Sequence, residues 1–246
     1  SSKVFEYYGK YEMDLGNSNL NLTAGYSYNQ FNTQGNTFSL GDFPDNSIDW
    51  SEAIGASQDL LNSGYIGANS FASPDDKIIG MFGRANLVIN NKYFVNASLR
   101  REGSSRFGAD NRWGVFPSFG VGADLNEILG LGIRKLKVRA STATTGALPG
   151  ATGLTAQART FVYDGGGSAG GSTVLARGAN PDLKWEEKNE FNFGIEYETE
   201  RLSLDFDVYN RKIKDFILNQ QVDVAVYGVD RRFQNAGQVT SSGWEF

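Results

Sequence analysis

The sequence predicts an all-β protein, an antiparallel segment of a transmembrane β-barrel with about nine long strands. Three observations predict it. Apolar and polar side chains alternate over stretches of roughly 10–13 residues, which is long for a globular strand but suits a tilted strand that crosses a bilayer. Short and long connections alternate along the chain, as they do in outer-membrane barrels. No apolar run approaches the ~20 residues of a transmembrane helix.

The alternation predicts the strands one after another. They lie at residues 4–15, 19–31, 79–89, 93–100, 113–123, 136–144, 191–197 and 202–209, and the last lies within 233–246. Tight turns are predicted at 16–18, 90–91 and 200–201, where Gly, Asn and Ser or a charged pair interrupt the alternation.

The hairpin at residues 92–124 shows the pattern most clearly. Its first arm alternates Tyr93, Val95, Ala97 and Leu99 with Phe94, Asn96, Ser98 and Arg100. Its second arm alternates Trp113, Val115, Phe119 and Val121 with Gly114, Phe116, Ser118 and Gly120. Successive strand residues point to opposite faces. We therefore expect one face towards lipid and the other towards the lumen.

Two long segments interrupt the alternation. Residues 32–77 and 145–185 are rich in Gly, Ser, Asn or Thr and are predicted to be long outer loops. A weakly helical piece is expected near 51–61, and a short helical or irregular turn within 125–134. The run Gly165–Gly171 is interpreted as flexible loop, because a P-loop needs a Lys-Ser/Thr pair and a helix behind its glycines.

Composition excludes several functions. The chain has no Cys and no His, which removes disulfides, thiolate metal sites and the commonest general base. Its net charge of -5 argues against a nucleic-acid partner. We predict no catalytic residue, no metal site and no cofactor.

The strand count predicts an internal part of a larger barrel. An odd number of strands cannot close a bacterial single-chain barrel, and an open sheet would leave unpaired backbone groups in lipid. The chain also starts and stops in strands. The alternative is a complete small barrel, because such barrels can end in an aromatic residue and Phe246 is aromatic.

Four motifs in a fixed order resemble one family. They are RREGSSRFGADNRWGVFPSFGVG from Arg100, KLKVRASTATTG from Lys135, NPDLKWEEKNEFNFG from Asn180 and NAGQVTSSGWE from Asn235. Together they resemble the SusC/RagA-type TonB-dependent outer-membrane transporters of Bacteroidetes. The departures are small, such as Glu102 where the family usually has Asp.

The resemblance implies a barrel of about 22 strands in the cell outer membrane, with a plug in its lumen. Residues 1–246 would then be part of the C-terminal barrel domain, and the plug domain and TonB-contacting segment would lie upstream. It further implies import of oligosaccharides or peptides with a SusD-like surface lipoprotein, driven by the TonB complex. The protein would not be an enzyme.

Two other functions remain open from the residues alone. A passive porin or an adhesin barrel would need neither plug nor TonB. An outer-membrane lipase or protease is disfavoured by the absence of His.

Candidate contacts for substrate or a lid protein are aromatic residues outside the strand pattern. These are Trp50, Tyr65, Phe71 and Tyr163, and the segment 32–77 is the first choice among the loops.

Other conspicuous residues are interpreted as structural. Arg100, Arg101, Arg106 and Arg112, with Glu102 and Asp110, could bind a ligand but are expected to order a loop through ion pairs. Glu196, Asp205 and Asp207 could mimic a glycosidase carboxylate pair, but lumen lining explains them more simply. Trp113 and Trp185 could stack on sugars, but anchoring in an interfacial aromatic girdle is favoured.

Overall fold

The computed structural model describes residues 1–39, 41–44, 54–63, 67–72, 76–149, 159–163 and 172–246. Its strands are β1 (Ser2–Asp14), β2 (Asn19–Phe31), β3 (Gln34–Ser39), β4 (Gly67–Ala72), β5 (Asp76–Ile89), β6 (Tyr93–Ser104), β7 (Trp113–Asp124), β8 (Lys135–Ala147), β9 (Arg159–Tyr163), β10 (Ser172–Arg177), β11 (Glu186–Glu198), β12 (Ser203–Lys214), β13 (Ile217–Gln221), β14 (Arg231–Asn235) and β15 (Gln238–Glu245). The helices are a 3-10 turn (Ile54–Ala56), α1 (Gln58–Ser63), α2 (Leu125–Leu129) and α3 (Val224–Tyr227).

Nine strands form one antiparallel sheet in the order β1-β2-β5-β6-β7-β8-β11-β12-β15. The other six form three separate hairpins, β3–β4, β9–β10 and β13–β14, each inserted between two neighbouring strands of the main sheet. The predicted all-β fold with about nine long antiparallel strands is confirmed. No helix of the described segments is long and apolar enough to span a membrane.

The two ends of the sheet differ in their connections. At one end, here the turn end, the strands are joined by residues 15–18, 90–92, 125–134 and 199–202. At the other, the loop end, the connections are 32–75, 105–112, 148–185 and 215–237. The predicted alternation of short and long connections holds except at one step, where the loop-end connection 105–112 is shorter than the turn-end connection 125–134. Asn90 and Asn91 have φ of 52° and 57°, the left-handed pair of a type I′ turn, in which the Lys92 N–H donates to the Ile89 carbonyl at 2.9 Å.

The long connections contain more structure than the sequence predicts. The segments 32–77 and 145–185 were predicted as loops without strands, but they include the hairpins β3–β4 and β9–β10. A third hairpin, β13–β14, lies before β15. These strands have only five or six residues, which is too short for a period of two to stand out. The helical piece expected near 51–61 corresponds to the 3-10 turn and α1.

Because neighbouring strands pair residue by residue, side chains that point to one side form a continuous face across all nine strands. One row of directly paired residues crosses all nine strands and is apolar throughout. It consists of Met13, Leu20, Leu87, Val95, Val121, Ala140, Phe193, Val208 and Trp244. We call this the reference row, the face that holds it the apolar face, and the opposite face the polar face. Trp244 is 71% exposed, so the apolar face is not covered by this chain.

The buried core lies elsewhere, at the loop end. Phe107, Phe116, Leu183 and Trp185 form one cluster, here the loop-end cluster, and Leu183 is fully buried. Leu148, from the connection 148–185, and Ile217 and Phe233, both from the connection 215–237, pack around it. The core of this chain thus ties loops together and does not underlie the sheet.

Candidate functional site

The polar face is lined by hydrogen-bonding and small residues along its whole width. The row next to the reference row consists of Glu12, Asn21, Asn86, Asn96, Gly120, Ser141, Asn192, Tyr209 and Gly243. None of them has an aliphatic side chain. Such a surface suits contact with water, a polar solute or another protein domain.

Ion pairs cross the polar face near the turn end. Arg139 on β8 contacts Asp207 on β12 at 2.6 Å and Glu196 on β11 at 3.4 Å, while Lys135 pairs with Glu196. Gly194 lies between Arg139 and Asp207 in register. A Cβ there would lie 2.5 Å from Asp207 Oδ1, so glycine lets the pair close across β11.

These contacts involve two of the carboxylates, Glu196 and Asp207, that could mimic a glycosidase pair in the sequence. Arg139 pairs with both Glu196 and Asp207, which leaves no isolated acid-base couple between them. A second bridge on the same face joins Arg211 Nε to Glu190 at 3.0 Å. A dense set of ionised groups is costly in lipid. The polar face is therefore the one that suits a lumen.

The loop-end cluster centres on Trp185. Its ring lies 5.0 Å from the ring of Phe107 and 5.3 Å from that of Phe116, measured between centroids. Its indole Nε1 donates to the carbonyl of Arg112 at 3.1 Å, which satisfies the polar atom of a side chain that is only 5% exposed. The prediction that Trp185 belongs to an interfacial girdle is wrong, because connections from both sides bury it.

Hydrogen bonds extend this cluster to the last connection. Asn180 Nδ2 donates to the carbonyl of Phe233 at 2.7 Å. Asn235 Nδ2 donates to the carbonyls of Lys184 and Asp215, each at 2.8 Å. Two asparagines thus join the segment before β11 to both sides of the β13–β14 hairpin.

An ion pair joins the start of β5 to the connections 105–112 and 148–185. Arg106 donates from Nε to Asp76 Oδ2 at 2.9 Å and from Nη1 to the carbonyl of Pro149 at 2.8 Å. Both charged side chains are largely buried, with 19% of Arg106 and 7% of Asp76 exposed. A buried pair of this kind needs both partners, since either charge alone would be uncompensated.

All four sequence motifs meet at this cluster. The first supplies Phe107 and Phe116, the third Leu183 and Trp185, and the fourth Asn235. The second motif ends at a glycine, Gly146, where a Cβ would lie 2.1 Å from the Phe116 ring. The motifs therefore share one structural role, the fixing of the loop end.

The arginines of the first motif do not form one site. Arg100 pairs with Glu102 on the polar face, and Arg106 pairs with Asp76. Arg101 lies on the apolar face, where its guanidinium stacks on Trp113 at 4.6 Å. The expected ion-pair role holds for Arg100 and Arg106. The sequence could not reveal Asp76 as a partner, because it lies 30 residues away.

The structure describes two of the four candidate contact residues, Phe71 and Tyr163. Trp50 and Tyr65 lie outside the described residues. Phe71 belongs to β4, in register with Gly35, and Tyr163 belongs to β9, in register with Ser172. The two hairpins are separate two-stranded sheets inserted at the loop end.

The margin of the apolar face runs obliquely across the sheet. From the reference row towards the loop end, the first non-aromatic polar side chain is about ten residues away in β1, at Lys3, and in β5, at Lys77. It is about six away in β6, at Arg101, and about two away in β12, at Asn210. The strand β7 is an exception, because its apolar face has no polar side chain as far as Trp113. In β15 it is again about two away, at Ser242.

This slope measures the strand tilt. A shift of about eight residues over the nine strands, at ~3.4 Å per residue and ~4.8 Å per strand, is an angle of ~35°. Strands of outer-membrane barrels are tilted by ~35–45° from the membrane normal. The apolar band is therefore level with a membrane plane only if the strands are tilted as in a barrel.

Comparisons with known proteins agree with this geometry. Residues 6–246 match the family model described as TonB dependent receptor-like, beta-barrel. TonB-dependent receptor P3 of Formosa agariphila is 28% identical over all of this chain and 24% of its own length. TonB-dependent receptor SusC of Bacteroides thetaiotaomicron is 29% identical over 69% of this chain and 18% of its own length. The chain thus spans a quarter or less of these relatives.

Solved structures share the fold. The RagAB peptide transporter superposes with a TM-score of 0.80 over 99% of this chain and 27% of the other, at 23% identity. The siderophore receptor PirA from Pseudomonas aeruginosa gives a TM-score of 0.58 over 99% of this chain and 39% of the other, at 16% identity.

Proposed function

The chain belongs to the β-barrel family of TonB-dependent receptors, and on that premise we propose that it forms part of the wall of an outer-membrane importer. This is a family of receptors and transporters and not of enzymes. In the proposed protein the apolar face contacts lipid, the polar face lines the lumen and the loop end faces outwards.

The oblique apolar band is the observation that carries the proposal. A soluble sheet has no reason to shift its apolar margin by about eight residues between Lys3 in β1 and Ser242 in β15. A tilted barrel does, since the bilayer is flat while the strands are inclined. The exposed reference row would otherwise remain in water.

We propose that further strands complete the barrel. Within this chain β1 and β15 are the edges of the main sheet, and unpaired edges in lipid cost several kcal/mol per group. Residues 1–246 would belong to the C-terminal barrel domain of about 22 strands. The plug and the TonB-contacting segment would lie in the remainder of the protein.

The proposed cargo is an oligosaccharide or peptide, delivered with a SusD-like lipoprotein and driven by the TonB complex. The likeness to SusC and to the RagAB peptide transporter supports this class. Trp50, Tyr65, Phe71 and Tyr163 remain the proposed contacts for substrate or lid, because their segments belong to loop-end connections.

Uptake by the full-length protein tests the proposal. We expect cells that express it with its neighbouring lipoprotein to accumulate labelled oligosaccharides or peptides only when TonB is functional. Purified full-length protein in a planar bilayer should conduct little, because the plug fills the lumen. Uptake without TonB together with large open-channel currents would instead establish a passive porin.

Cysteine labelling tests the assignment of the faces. This chain has no Cys, so V95C and N96C each add one thiol to it, and the two adjacent positions lie on opposite faces; any cysteine in the remainder of the protein is first replaced by serine. In full-length protein in vesicles we expect a water-soluble maleimide to label N96C and a lipid-soluble probe to label V95C. The reverse pattern would overturn the assignment.

A further inference from the structure

A depression of 680 Å³ lies on the apolar face across β1, β2, β5 and β6. Its floor is made of small residues, namely Gly9, Ala24, Gly83, Ala85 and Ala97. A Cβ added at Gly9 or Gly83 would meet nothing within 4 Å, so the space is open and not filled by neighbouring side chains. The apolar face therefore carries a shallow groove at this place.

A cation stands beside this groove on the same face. Arg101 lies two residues beyond Leu99, which lines the depression, and is the next residue of β6 on the same face. Its guanidinium is held over the Trp113 ring at 4.6 Å, and no ion pair of the described segments includes it. A charge on the lipid face is tolerated only near the interface, where its cost falls to ~0–1 kcal/mol. Arg101 thus marks the level of the lipid headgroups.

The strand tilt places the groove directly inward of Arg101. At a tilt of ~35°, a path of ~10 Å along the membrane normal towards the bilayer centre also moves sideways by about one strand. Starting from Arg101 on β6, the path reaches Gly83 on β5 and Ala24 on β2, which are paired in register. Its continuation leads to Leu22 and Tyr11, at the far side of the depression.

We propose that this groove binds one anionic lipid of the outer leaflet. The Arg101 guanidinium pairs with the headgroup phosphate, and one acyl chain lies over Gly83, Ala24 and Gly9. Arginine suits a phosphate because its planar fork donates two parallel hydrogen bonds, and stacking on Trp113 orients the fork in advance. The site rests on the proposed function, since it requires the apolar face to contact lipid.

Native mass spectrometry of the full-length protein tests the site. The protein is transferred from detergent containing either phosphatidylglycerol or phosphatidylcholine, and bound lipids are counted. We expect one retained phosphatidylglycerol and about tenfold less phosphatidylcholine. R101A should reduce retention of phosphatidylglycerol at least fivefold. G83L should reduce it as well without changing the charge, because the leucine side chain would occupy the groove.

K212A is the matched control. Lys212 is a cation near the same margin of the apolar face, on β12 and far from the groove. Its substitution should change retention less than twofold. Equal losses in R101A and K212A, or no loss in R101A and G83L, would overturn the proposal. A barrel dimer that R101A leaves intact, with no lipid bound, would also overturn it, because a second copy would then cover the groove.

The result is separable from the proposed function. A protein that inserts into vesicles with the expected V95C labelling but retains no lipid contradicts only the lipid site. A protein whose V95C thiol reacts with the water-soluble probe contradicts the orientation of the barrel itself.

Discussion

The loop-end cluster and the apolar face are both apolar, but the first is buried within this chain and the second is exposed. In the cluster, Trp185 is 5% exposed and its indole nitrogen donates to a carbonyl. On the apolar face, Trp244 is 71% exposed, and its ring lies 6.4 Å from that of Phe206, measured between centroids. The first surface is stabilised by protein packing, as in a soluble domain. The second needs a partner outside this chain, which we propose to be lipid.

The largest expected difference is between the two tryptophans. W185A should destabilise the full-length protein in detergent by about 4 kcal/mol, because it leaves a cavity between Phe107 and Phe116. W244A should cost less than about 1 kcal/mol, because detergent fills the space. Chemical unfolding followed by circular dichroism measures both. Equal losses would mean that both surfaces are buried by protein.

Ion pairs provide the next comparison. R106M should cost about 3 kcal/mol, because it leaves the Asp76 carboxylate buried without a cation. R139M should cost less than about 1 kcal/mol, since the Arg139 side chain is 46% exposed and water screens the pair. The same unfolding experiment reports both values. If the double variant R106M/D76L is less stable than R106M, an uncompensated charge is not the cause.

An inserted charge distinguishes the two faces of one strand. V95R should reduce stability in a lipid bilayer by about 2–3 kcal/mol, because the reference row lies within the apolar band. N96R, one residue away on the polar face, should have a much smaller effect. Folding equilibria in vesicles measure the pair. A larger cost for N96R would reverse the assignment of lipid and lumen.

The smallest difference involves two glycines. G146A should cost about 1–2 kcal/mol, because its Cβ would approach the Phe116 ring to 2.1 Å and displace it from the cluster. G9A should be neutral or slightly stabilising, because nothing lies within 4 Å of its Cβ. Thermal unfolding in detergent is sufficient to compare them. A stable G146A would show that Phe116 is free to move.

Local periodicity explains which parts of the fold could be predicted. The nine long strands and their two faces follow from a period of two, which is a property of neighbouring residues alone. The short hairpins could not be predicted, because strands of five or six residues carry too few alternations. The motifs indicated the family, but nothing in them showed that they meet.

The sequence by itself therefore determined the strands, their apolar face and the alternation of short and long connections. Only the tertiary structure decided that Trp185 is buried and that Arg106 pairs with Asp76. It also decided that Arg101 lies over the Trp113 ring beside a groove of the apolar face. The reason is physical. Strand alternation is encoded between adjacent residues, whereas contacts across 30 residues or more depend on the register and tilt of the whole sheet.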